Sequence, residues 1–520
     1  MKCECMSSTI SIETPRKNKY LFDQLEKITL LSHPVMYFLV CLKKEGTDLE
    51  KWIPRLDRDK EIMIDDYGPV SFPDILYYKS KLDLLEQNGF FKPVAPGWIS
   101  FSSLSAGDIE NAISNIKQIT LEVTDSCNLN CEYCGYGKFY TNAAGRSNKN
   151  LDPASVKTLL IYLKQFLDSP LNQSLDRTVF LSFYGGEPLL NFSLIEETVQ
   201  YAKQMDLKRA HFRFSITTNA VLLDKYMDFL VMENFTVYIS LDGNEINQSY
   251  RVYHNGRPSF QNIIDNILLL REKYPGFFKE NVQFNSVLHN RNSVQEIYDF
   301  FKNRFDKTPR ILALNTYGIK EEFKDKFRNT YKNPKESLLE SNDYSKIEEE
   351  MFIRLGNIQE HATFVFQSTN FCFMNYKDLL APVPKKVIRP YPTGTCIPFS
   401  QKLFVTAKGD ILSCERISQE FVLGHVSLET VSLDFESIAQ KYNHWFDLIR
   451  EQCSRCSLAA TCTQCLFFLI HSQQYPAKKV VCPLSKNPSL FARSFAESID
   501  YFEKNPSMYD KILKEVHIES

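Results

Sequence analysis

The stretch Ile119-Thr-Leu-Glu-Val123-Thr-Asp-Ser-Cys127-Asn-Leu-Asn-Cys131-Glu-Tyr133-Cys134 decides how the rest of the chain is read. Residues 119–123 suit a strand, and the strand runs straight into a loop with three thiols, separated by three and then by two residues. Thiolates at that spacing can each hold one iron of a [4Fe–4S] cluster and leave the fourth iron open to a small molecule. Structural zinc asks for four ligands, and no fourth Cys or His lies near this loop.

Outward from the loop the chain repeats strand then helix. Strands are expected at 119–123, 179–184, 212–217, 236–241, 282–288 and 311–314, with amphipathic helices at 153–167, 194–205, 223–232, 260–273 and 293–305. Six strands alternating with five helices imply an α/β fold of right-handed units on a parallel sheet, open or curled into a partial barrel. Chemistry in such sheets collects at the C-terminal strand ends. Three polar segments fall there: Gly185-Gly186-Glu187-Pro188, Thr217-Thr218-Asn219 and Ser240-Leu241-Asp242-Gly243.

A length of 520 residues calls for several packed cores. With 61 basic and 63 acidic residues the charge is nearly balanced, so neither nucleic acid nor an anionic membrane is an expected partner. No secretory signal and no run of membrane-spanning length is read, and a cytoplasmic location is expected. Fourteen cysteines in a reducing compartment point to metal ligation over disulfides. Residues 20–100 mix short strands with helices in the manner of a winged-helix-like module. The expected division is 1–110 for that module, 111–320 for the strand-and-helix region, 321–395 for a helical connector, 396–485 for a cysteine-rich region and 486–520 for a helical tail.

The loop of Cys127, Cys131 and Cys134, with Tyr133 before its last cysteine, resembles the C-x3-C-x2-C loop of the radical S-adenosylmethionine (SAM) superfamily. Gly185-Gly186-Glu187-Pro188 is similar to that family's GGEP motif. The resemblance implies that Gly185, Gly186 and Glu187 approach the methionine amino group of SAM, with Tyr133 beside the cofactor. Similarity to the family's TTN and SLDG segments implies Thr218, Ser240 and Asp242 as further contacts. Arg251 is placed toward the methionine carboxylate, and Asn285 and Val287 toward adenine. The fold so implied is a partial (β/α)6 TIM-like barrel. The chemistry so implied is cleavage of SAM to a 5′-deoxyadenosyl radical that takes hydrogen from an unactivated carbon.

A second cysteine set, Cys396 and Cys414 followed by Cys453-x2-Cys456-x5-Cys462-x2-Cys465-x16-Cys482, resembles the SPASM extension with its two auxiliary [4Fe–4S] clusters. A zinc ribbon would space its two knuckles by about 15–20 residues, and here five residues separate Cys456 from Cys462. Carried over by position, Cys396, Cys414 and Cys465 serve the first auxiliary cluster, and Cys453, Cys456, Cys462 and Cys482 the second. The family usually has three residues before the cysteine matching Cys465; this chain has two, so its loop must be tighter. The first auxiliary set is one thiolate short, and either Cys372 or a thiolate of the substrate could fill it.

SPASM proteins mostly act on peptides, and many grip a leader with an N-terminal winged-helix element. Resemblance to maturases of the Bacteroidales type implies a radical SAM oxidoreductase that cross-links a ribosomally synthesised (RiPP) precursor peptide through a thioether or a carbon–carbon bond. The expected partners are a precursor peptide with its leader and a flavodoxin- or ferredoxin-type reductant. The rival is an anaerobic sulfatase maturase, which makes formylglycine and carries an aspartate base where this chain has Glu415. An iron–sulfur electron-transfer protein is the third reading, but it would need neither the GGEP nor the SLDG segment.

Overall fold

The computed structural model describes residues 9–23, 28–91, 101–140, 147–316, 318–347, 350, 391–454, 456, 462, 464–471, 480–482 and 488–515. Cys372 lies outside them. The first described strands, β1 (Thr9–Glu13), β2 (Lys19–Asp23) and β3 (Ile28–Leu31), form an antiparallel sheet in that order. Helices α1 (Pro34–Lys44) and α2 (Leu49–Trp52), a hairpin of β4 (Ile62–Ile64) and β5 (Gly68–Val70), and α3 (Phe72–Gln87) follow. The helix starts are written locally: His33 and Ser71 cap α1 and α3, and each helix has a proline in its first turn. Leu21, Val35, Leu39, Ile75 and Leu82 give this module its own core.

Helix α4 (Ala106–Ser114) leads into the region that holds the three-cysteine loop. Its strands are β6 (Gln118–Thr124), β7 (Arg177–Gly185), β8 (Ala210–Thr218), β9 (Thr236–Ser240), β10 (Val282–Leu288) and β11 (Arg310–Ala313). Between them run α5 (Pro153–Leu167), α6 (Phe192–Gln204), α7 (Leu223–Met232), α8 (Phe260–Lys273), α9 (Pro275–Asn281) and α10 (Val294–Phe305). The six strands lie side by side in chain order and every pairing among them is parallel. Alternate residues explain why: Ile119, Leu121, Val123, Val179, Leu181 and Phe183 join the main core, while Thr120, Glu122 and Ser182 point to the opposite face. There Ser182 meets Ser215 at 2.6 Å and accepts from Gln118.

The sheet does not stop at β6. Strand β12 (Lys402–Val405) pairs with it in parallel, and β13 (Asp410–Leu412), β14 (Gly424–Val426) and β15 (Val431–Ser432) continue antiparallel, so ten strands share one sheet. The cysteine-rich region is thus welded to the parallel sheet, which the sequence pattern alone does not foretell. The helix Pro488–Lys504 then returns to the first sheet. Phe495, Ala496 and Ile499 pack on Ile12 and Phe22, and the Glu503 carboxylate accepts from Thr14, Asn18 and Tyr20 at 3.2, 2.9 and 2.7 Å. Among the described residues no helix is long and apolar enough to cross a membrane.

Candidate active site at the strand ends

The loop after β6 is held from several sides. Asn130 N–H donates to the Val252 carbonyl at 2.7 Å, Glu132 N–H to Tyr250 at 3.2 Å, and the His254 ring meets the Cys127 carbonyl at 2.9 Å. Asn219 donates to the Asn128 side chain at 2.7 Å and reaches the Cys127 sulfur at 3.7 Å, while Leu129 N–H points at the same sulfur from 3.4 Å. Such donors stabilise a thiolate and tune whatever it ligates. The glycine pair lets two strand ends meet, since Gly186 N–H and Glu187 N–H bond the Thr124 and Ser126 carbonyls, each at 2.8 Å. A Cβ on Gly185, whose φ is +139°, would sit 2.2 Å from the Thr124 oxygen, and one on Gly186 1.9 Å from the Ser126 oxygen. No side chain fits there.

Two buried carboxylates lock the neighbouring strand ends. Glu187 accepts from the Thr218 hydroxyl and from Asn219 N–H, both at 2.7 Å, and from Leu189 N–H; burial raises its pKa to about 7 against the pull of those bonds. Asp242 accepts from Val287 N–H and Arg251, both at 3.0 Å, and from the Tyr133 hydroxyl. Burial pushes its pKa up, but Arg251 and His289 overcome this and hold it at about 2. The structure therefore gathers Tyr133, Glu187, Thr218, Asp242 and Arg251 at the strand ends, with their polar groups joined to one another and to the loop. Ser240 stands beside Asn285 in the β9–β10 register. Asn219, Asn128, His254 and His289 were not singled out from sequence; Asn219 at least lay in view, next to Thr218.

The later cysteines also gather. Burial pushes Cys453 to about 12, and its neighbours Cys456, Cys462 and Cys482 add to the shift. Gln452 ties its neighbour Cys453 to the last of these by bonding both N–H and carbonyl of Cys482. Burial raises the Tyr442 phenol, and the charges of Cys465, Cys396 and Cys414 add to the rise. In the first loop Cys131 rises to about 12 through burial, opposed by Arg251 and reinforced by Cys134 and Cys127. Among the described residues no three His, Cys, Asp or Glu close on one metal ion.

Residues 121–303 match the sequence profile of the Radical SAM superfamily. That stretch is similar to a radical SAM domain. The family implies SAM and one [4Fe–4S] cluster as cofactors. Over 208 residues the chain is 29% identical to the radical SAM cyclopropyl synthase TigE of Paramaledivibacter caminithermalis, covering 39% of this chain and 41% of that protein. Over 428 residues it is 24% identical to the cysteine-type anaerobic sulfatase-maturating enzyme of Clostridium novyi, covering 77% of this chain and 98% of the relative. The chain spans half or less of the length of several other curated relatives it matches. The solved structure of native anSMEcpe with bound AdoMet and Kp18Cys peptide shares the fold, with a TM-score of 0.52 at 17% identity over 77% of this chain and 99% of that one.

On the sheet face away from the main core, this region carries ionisable groups. Glu122 is 2% exposed and accepts from Ala407 N–H at 2.8 Å, and burial raises its pKa against the pull of Tyr136 and that bond. Tyr184 faces Glu122 across the β6–β7 ladder, and burial, then Glu415, Cys134 and Glu122, raise its phenol. Glu415 itself is paired with Lys402 at 3.0 Å.

Proposed function

We propose that this protein is a radical SAM peptide maturase that installs a cross-link in a ribosomally made precursor. The observation that carries the reading is the set of three cysteines on a braced loop at the strand ends, with two further cysteine groups in the segment that extends the same sheet. Cys127, Cys131 and Cys134 would hold the SAM-binding [4Fe–4S] cluster, with Cys396, Cys414 and Cys465 on one auxiliary cluster and Cys453, Cys456, Cys462 and Cys482 on the other. Bound there, the first cluster and SAM supply the electron and the carbon radical that start hydrogen abstraction. The chain's own part is positional. The glycine pair lets the β7 end approach the loop, Asp242 and Arg251 fix Tyr133, and the aromatic cluster of Tyr133, Phe139, Tyr250 and Phe327 excludes water.

A peptide substrate is supported by the anSMEcpe complex, which holds a peptide. The N-terminal module could hold a leader by taking it as an extended strand on the sheet that runs β1-β2-β3. A flavodoxin- or ferredoxin-type protein would supply the electron. The test is anaerobic reconstitution followed by assay for 5′-deoxyadenosine and methionine. Cys131→Ala should abolish both products, and normal turnover by that variant would refute the assignment. The sulfatase-maturase reading keeps one point in its favour, the long match to the Clostridium novyi enzyme. Formylglycine detected by mass spectrometry in a sulfatase-derived peptide would establish it.

A further inference from the structure

Glu187 is 0% exposed, and both of its oxygens are engaged by its own chain. The Thr218 hydroxyl and Leu189 N–H donate to one, at 2.7 and 3.2 Å, and Asn219 N–H donates to the other at 2.7 Å. A carboxylate so placed ties the end of β8 to the end of β7 and offers no face to a small molecule over the cysteine loop. What it holds is the backbone of Asn219. The Asn219 side chain is then oriented by its own turn, because Oδ1 accepts from Val221 N–H at 3.0 Å and the amide nitrogen must point the other way. That nitrogen donates to Asn128 Oδ1 at 2.7 Å and reaches the Cys127 sulfur at 3.7 Å. With its oxygen engaged, Asn128 keeps a buried amide nitrogen that meets no acceptor among the described residues. An unmet buried donor between Cys127 and Cys131 fits a group rich in acceptors, as the sulfides and thiolates of an iron–sulfur cluster are.

We propose that Asn219 is a positioning residue for reduction of the first cluster: its amide, fixed through Glu187, donates to the Cys127 thiolate and raises the potential at which that cluster takes its electron. The proposal rests on the radical SAM reading and deepens it, giving Glu187 a task at the cluster in place of the contact with the methionine amino group that its motif implies. In the step concerned the cluster gains one electron, the flavodoxin- or ferredoxin-type donor loses one, and the amide keeps its proton. A donor aimed at a ligating sulfur favours the more negative, reduced state.

The test uses full-length protein reconstituted anaerobically with iron and sulfide and titrated with dithionite in the absence of SAM. EPR follows the reduced-cluster signal that is missing from Cys131→Ala and so belongs to the first loop. Wild type is compared with Asn219→Ser, Glu187→Gln and the double variant. Serine can still accept from Val221 N–H but is too short to reach Asn128 or Cys127, while glutamine turns a nitrogen toward one of the donors around Glu187. In Asn219→Ser, at wild-type iron and sulfide content, reduction of the first cluster should become about tenfold less favourable, a fall of about 59 mV for one electron, with the other cluster signals unmoved. Glu187→Gln should lower the same midpoint, and the double variant should fall no further than Asn219→Ser, since one residue acts through the other. An unchanged midpoint in Asn219→Ser overturns the proposal, and so does loss of iron from that variant, because Asn219 would then serve folding alone. A Glu187→Gln protein with a wild-type midpoint and weakened SAM binding in equilibrium dialysis overturns the role given to Glu187; where that variant fails to fold, Asn219→Ser decides by itself. A wild type in which no EPR signal depends on Cys131 sinks the parent reading along with this one, whereas an unmoved midpoint sinks this one alone.

Discussion

Asp242 and Gly186 show how much rests on single atoms at the strand ends. In Asp242→Asn the Arg251 guanidinium would remain buried with no anion, and breaking one side of such a pair costs about 3–5 kcal/mol. Chemical denaturation at pH 7 should show a loss of that size, with poorer iron incorporation into the first loop because Tyr133 loses its acceptor. The pH dependence has a definite sign. Folded Asp242 titrates at about 2, below its ordinary 3.8, so its contribution is complete above pH 3.8 and is lost as pH falls through 2, for a total of about 2 kcal/mol. The stability difference between wild type and Asp242→Asn should therefore narrow by about 2 kcal/mol as pH falls from 3.8 to below 2. Gly186→Ala should fail differently. Its methyl cannot occupy space 1.9 Å from the Ser126 oxygen, so the loop must move, and equilibrium dialysis should find SAM binding weakened about tenfold or more. At this scale the candidate ligands could be proposed from spacing, because cysteines that share one cluster often stand close in sequence. The braces were not: His254 meets Cys127 from 127 positions away, and Ala407 meets Glu122 from 285.

Among the elements, the six strands from β6 to β11 and five of the helices between them were readable to within about two residues, while the short α9 (Pro275–Asn281) was not expected. Strands β6 to β10 feed an apolar face into the core and the longer helices carry an apolar stripe, so the periods of two and 3.6 survive in the sequence. Strands β13 and β14 have three residues each, too few for any period, and they exist because β12 gives them a template. Strand β1 escaped notice for a related reason, since part of its burial comes from a helix nearly the whole chain away. That contact yields a prediction. Glu503→Ala removes the acceptor for Thr14, Asn18 and Tyr20, at a local cost of about 1–3 kcal/mol. Hydrogen exchange should quicken in β1 and β2 while β6 to β10 keep wild-type protection; uniform exchange across both sheets would contradict this.

For the molecule as a whole, the N-terminal module cannot be removed as cleanly as its sequence suggests. Phe495, Ala496 and Ile499 would be stripped of their cover along with residues 9–91. The next segment belongs elsewhere: Leu104 exchanges two 2.8 Å hydrogen bonds with Asn443, and Arg450 donates to the Phe101 carbonyl. A deletion of 1–91 should therefore aggregate on size-exclusion chromatography, deletion of 1–91 together with 488–520 should stay monodisperse and bind iron, and extension of the cut to residue 110 should destabilise the sheet itself. The boundary at about 110 came from the local pattern of strands and helices, which cannot register a pair of side-chain bonds to a residue hundreds of positions on.

The clasp between Thr14 and Glu503 also sets a clock. These residues stand 489 positions apart, and a ribosome adding about 5–20 residues per second takes roughly 25–100 s to make what lies between. For that whole time Ile12 and Phe22 await Phe495, while Cys127, Cys131 and Cys134 and then the later cysteines have already emerged. A peptide that docks on the first sheet would find the finished surface only on chains whose thiols had all been synthesised, so translation order alone would keep precursors away from enzyme that could not yet hold its iron.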